Sequence, residues 1–82
     1  MQKREFKFRY IGSKRPRPGD RVILYAVLDK NTLDFIEYQT IRTDDPTSPK
    51  DYPKYIGSGR LTAFDGEFWL VDQVTLPLRE NY

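Results

Sequence analysis

Hydrophobic and polar residues alternate without a break over EFKFRY (5–10). Phe6, Phe8 and Tyr10 fall on one face of a strand, and Glu5, Lys7 and Arg9 on the other. A period of two predicts a strand over 5–11 with its rings turned to a core. RVILYAVL (21–28) is almost continuously apolar and rich in branched and aromatic residues, which predicts a central strand buried on both faces. FIEYQTIR (35–42) is a third β-rich run, and the polar stretch DKNTLD (29–34) joins the two as a hairpin. RLTAF (60–64) and EFWLVDQVTL (67–76) flank Asp65-Gly66, a strong signal for a two-residue hairpin loop. Trp69, within FWLV, is expected in the core of that last strand. No segment carries a 3.6-residue period.

Between these runs lie two irregular stretches. SKRPRPGD (13–20) holds two prolines and a Pro-Gly turn. TDDPTSPKDYPKYIGSG (43–59) holds three prolines and reads as a long loop, with Tyr52 and Tyr55 laid on the core or presented to a partner. Residues 77–82 follow Pro77 as a tail. The expected fold is therefore all-β. It is a single domain over 1–82, a small five-stranded partly open barrel or coiled antiparallel sheet of SH3-like or OB-like size.

Composition narrows the chemistry. The chain has 82 residues, no cysteine and no histidine. Disulfides, thiolate metal sites and the usual general base are thereby excluded. Ser13, Ser48 and Ser58 have no imidazole to activate them. Asp44, Asp45 and Asp51 lack the ligand spacing of a calcium loop. IGSGR (56–60) has glycines that suit a phosphate cradle, but no helix is expected after it, so it reads as a turn into the fourth strand. A non-enzymatic protein without cofactor or metal is expected. With no secretory h-region and no apolar run long enough to span a bilayer, the default location is cytoplasmic.

Charge supplies the functional signal. Residues 1–21 carry eight bases against two acids, a net +6, and residues 22–82 carry six bases against ten acids, a net −4. If the first two strands are neighbours, Lys7, Arg9, Lys14, Arg15, Arg17 and Arg21 form one basic patch. Lys7 and Arg9 alone are explained by protection of an outer strand edge. The stiff KRPRP loop has no such structural reason, and its prolines reduce the entropy lost on docking. The expected partner-binding residues are those six bases together with Tyr52 and Tyr55. The expected function is a protein–protein interaction module, an inhibitor or adaptor docking on a larger, nucleic-acid-handling protein. Direct nucleic-acid binding by the same bases is the alternative, and a structural subunit of a viral assembly is a third.

KREFKFRY resembles the start of small phage-encoded early proteins. IGSGRLTAFDGEFWLVDQV resembles the closing hairpin of small β-barrel phage head–tail connector proteins. These resemblances imply a virus- or mobile-element-encoded protein and carry over no site residues.

Overall fold

A computed structural model describes residues 6–76. They form five strands in one sheet: β1 (Phe6–Tyr10), β2 (Arg21–Leu28), β3 (Phe35–Arg42), β4 (Tyr52–Phe64) and β5 (Trp69–Thr75). The all-β, five-strand expectation holds, and β2 and β3 have the expected bounds. Glu5 and the tail at 77–82 lie outside the described residues.

The hydrogen-bonded order is β1-β3-β2-β4-β5, and β1 returns to pair with β5. Four pairings are antiparallel, while β1 and β3 run parallel. That parallel seam is short, with only Arg9 opposite Gln39 and Tyr10 opposite Thr40. Towards Phe6 and Phe35 the two strands part, and the barrel stays open at that end.

The core follows the strand period. Phe8, Val22, Leu24, Leu61, Trp69 and Val71 form the buried cluster, with Tyr10, Ile56 and Val74 packed against it. Trp69 is core, as its place in FWLV implies. Phe8 is buried and Tyr10 partly so, but Phe6 is 41% exposed at the open end. One ring of the first strand therefore faces solvent.

Three expectations change. First, β4 begins at Tyr52, so the irregular segment is 43–51 rather than 43–59. Tyr52 and Tyr55 are strand residues, and both are exposed. Pro53 is tolerated because β5 pairs with β4 only from Ser58 onward. The first half of β4 therefore keeps one open edge, the place where a strand admits proline. Second, IGSGR is not a turn but a bend inside β4. The register slips between Leu24 and Tyr25 of the partner strand, and Gly57 has φ +152°. Third, the last hairpin turns over four residues. The Asp65 carboxylate accepts the Glu67 and Phe68 N–H groups (3.0 and 2.8 Å), and these bonds hold its pKa below the usual range.

Segment 43–51 has a defined path. It leaves Arg42, opposite Val22, and arrives at Tyr52, opposite Leu28. It thus travels the length of β2, about 20 Å at strand rise, from one flanking strand to the other. Val27 and Ile41 are buried although they alternate with the inward Val22 and Leu24. Asp45 fastens one end of the segment: Oδ2 accepts the Lys14 N–H (2.9 Å), and Oδ1 accepts the Ser13 hydroxyl (3.1 Å) and the Thr47 N–H (3.0 Å). Asp51 fastens the other by accepting the Lys30 N–H at 3.3 Å.

Candidate functional site

The strand order divides the expected basic patch. β1 neighbours β3 and β5, not β2, so Lys7 and Arg9 do not lie beside Arg21. Nor is β1 an outermost strand, although β3 pairs with it only at Arg9 and Tyr10. Edge protection therefore does not account for Arg9, while Lys7 lies on the stretch that β3 leaves unpaired. Both bases meet acids from the second part of the chain.

Lys7 lies 3.5 Å from Asp65. Arg9 Nε donates to both Glu37 oxygens (3.0 and 3.2 Å), and its Nη2 donates to Glu67 (3.4 Å). The Arg9 guanidinium also sits over the Phe68 ring, 4.9 Å from its centroid. Hydrogen bonding to Glu37, then its charge, raises the Arg9 pKa still further. Lys14 pairs with Asp44 at 3.8 Å. The chain's charge polarity is thus largely folded away: Asp44, Asp65, Glu37 and Glu67 all come from the acidic part.

Arg15, Arg17 and Arg21 remain. None has an ion pair among the described residues. Arg15 and Arg17 are exposed on the loop before β2, whose backbone is tied down around them. The Arg15 carbonyl accepts from Arg42 Nη1 (3.0 Å), and the Arg17 N–H donates to Asp20 (2.9 Å). Gly19 and Asp20 exchange backbone bonds with Leu61. This docking brings in Arg60, which reasoning from the sequence did not select. Arg60 is the cross-strand partner of Arg21, and its Nη1 donates to the Gly19 carbonyl at 2.9 Å.

The opposite end of the barrel is apolar. β1 and β3 start there, β2 and β5 finish there, and β4 enters there. Phe6, Phe8, Leu24, Tyr38, Ile56, Val74 and Leu76 line a cavity of about 210 Å³ between the parted strands. Tyr38 packs against Phe8 and against Phe35, with ring centroids 5.5 and 4.9 Å apart. Around this mouth Leu33, Phe35, Ile36 and Tyr52 are exposed, and Leu76 is 64% exposed. Of the large hydrophobic side chains exposed among the described residues, only Phe64 belongs to the far end, where it packs on Trp69.

The mouth too was missed from the sequence, although FIEY held a signal. Phe35 and Ile36 are successive bulky residues, so one of them must leave any single buried face. Among the described residues no group of His, Cys, Asp or Glu could hold a metal ion. No helix among them is long and apolar enough to cross a membrane. Comparison with protein families, with curated proteins and with solved structures finds no match.

Proposed function

We propose that the protein is a non-catalytic protein-binding module, acting as an inhibitor or adaptor, and that the open mouth of its barrel is the docking surface. One observation carries this reading: exposed aromatic and aliphatic side chains are gathered at one end, around a preformed cavity with an almost wholly apolar lining. Aromatic anchors meeting an apolar pocket supply most of the energy in protein interfaces. The partner then presents an apolar side chain to the cavity. Tyr52, the first residue of β4, extends the surface with a ring that carries a polar tip, whereas Tyr55, three positions on, leaves the other face of the strand.

Nucleic-acid binding is the second reading, and Arg15, Arg17, Arg21 and Arg60 favour it. It is weaker because Lys7, Arg9 and Lys14 already face carboxylates, and because the exposed rings sit at the other end from these arginines. A binder of single strands interleaves bases and rings along one groove.

The two readings separate in an anisotropy titration against labelled DNA and RNA. Binding at low salt is expected to be weak, in the range of non-specific electrostatic association, and to vanish at physiological salt. Submicromolar binding at physiological salt, abolished by Arg15→Ala, Arg17→Ala and Arg21→Ala together, would replace the protein-binding reading with the nucleic-acid one.

A further inference from the structure

The arginines opposite each other at the far end of the barrel have no acidic partner among the described residues. Arg21 and Arg60 are directly paired across β2 and β4, so their side chains leave the same face. Like charges in that position weaken a ladder. Neither forms an ion pair among the described residues. Asp72 lies opposite Arg60 on β5 without closing a bridge to it.

Beside the two guanidinium groups is a polar cavity of about 180 Å³, lined by Arg21, Ser58, Gly59, Arg60, Gln73 and Thr75. Every side chain in that lining can donate a hydrogen bond, and none is an acid. Ser58 and Thr75 face each other across β4 and β5, so two hydroxyls converge on the cavity. Between this pair and the Arg60–Asp72 pair the ladder slips: two steps on β4 are matched by three on β5. Gln73 sits in that slip at φ +50°, a left-handed conformation that a non-glycine residue adopts at some cost. Strain of this kind gathers at sites built for a ligand. Gly59, between Ser58 and Arg60, turns its Cβ position inward to the core, where a Cβ would come within 2.6 Å of a Val71 methyl group and 3.0 Å of the Asp72 carbonyl.

We propose that this cavity binds one oxyanion of the phosphate class. The two guanidinium groups would supply charge and fork-shaped donation, and Ser58, Thr75 and the Gln73 amide the remaining hydrogen bonds. Arg60 is held for this by its bond to the Gly19 carbonyl. The site is separate from the apolar mouth and does not depend on it.

Inorganic phosphate is the probe. A chemical-shift titration at constant ionic strength should give saturable shifts confined to the amides of Ser58, Gly59, Arg60, Gln73 and Thr75. Arg21→Gln and Arg60→Gln should each weaken binding about tenfold or more, the usual loss of a charged hydrogen-bond partner. Lys50→Gln, remote from the cavity, should leave it unchanged. Without phosphate, Arg21→Gln should fold and melt no lower than the parent, because a repulsion has been removed. Shifts that never saturate, or that persist in both arginine variants, would overturn the site. So would affinity that grows with each nucleotide added to a short oligonucleotide, since that describes a polyanion track and not a single-anion pocket.

Discussion

Gly57→Ala is expected to destabilise the protein by about 3 kcal/mol, a drop of about 15 °C in the thermal midpoint of a domain this small. Gly57 has φ +152°, and a Cβ built on it would lie 2.5 Å from the Thr75 carbonyl oxygen and 3.3 Å from Leu76 Cα. The obstacle is backbone and cannot turn aside as a long side chain would. Gly19 separates the two causes. It also has positive φ (+92°), but nothing stands within 4 Å of its Cβ direction. Gly19→Ala should therefore show only the conformational part, about 1 kcal/mol. Similar losses at both positions would mean that β4 and β5 are not in close contact at Gly57. The variant also bears on function, because the displaced residue, Leu76, lines the mouth.

Asp45→Asn is the second large effect, with an expected drop of about 10 °C. Burial alone would raise the pKa of this carboxyl. The Lys14 N–H, the Thr47 hydroxyl and N–H, and the Ser13 hydroxyl outweigh burial and hold it far below the usual carboxylate range. Asparagine keeps one acceptor oxygen and replaces the other with an amide that can only donate. If the amide takes the Oδ2 place, the Lys14 N–H loses its acceptor and the Tyr10 hydroxyl, 3.3 Å away, meets a donor. If it takes the Oδ1 place, Ser13 and Thr47 lose theirs. Because the folded-state pKa is depressed, this stabilisation is fully present above the unfolded pKa of ~3.9 and is lost as pH falls below it. Thermal melts from pH 7 to pH 2 should show the parent losing stability progressively below about pH 4, and the variant losing less. Parallel profiles would assign the acid sensitivity elsewhere, to Asp29 and Asp65, whose pKa values are also lowered by backbone N–H donors.

How much was legible in the sequence depended on the range of the interaction that decides each feature. β2 and β3 were readable to the residue, because a branched apolar run between turn residues has one good local solution. The first half of β4 was not. Tyr-Pro-Lys-Tyr followed by two glycines reads as breakers, and only its pairing with the far end of β2 makes it a strand. The basic residues were readable as charges but not as free charges. Arg9 meets Glu37 and Glu67, 28 and 58 positions away, through the placement of β1 between β3 and β5. Arg60 gained its place beside Arg21 in the same way. The mouth exists because β1 and β3 stop pairing after two residues, and no local pattern encodes that.

The central claim is that the apolar end, and not the arginine end, meets the partner. Phe35 and Leu76 are more than half exposed, so Phe35→Ser with Leu76→Ser removes apolar surface from the mouth at little cost in stability. The direct measurement is side-by-side affinity capture from nuclease-treated extract of the source cells, with the parent, this double variant and the Arg15→Ala, Arg17→Ala, Arg21→Ala triple variant. The predicted result is one stoichiometric protein held by the parent and the triple variant and lost from the folded double variant. Retention by the double variant and loss from the triple variant would contradict the claim and move the docking surface to the arginines.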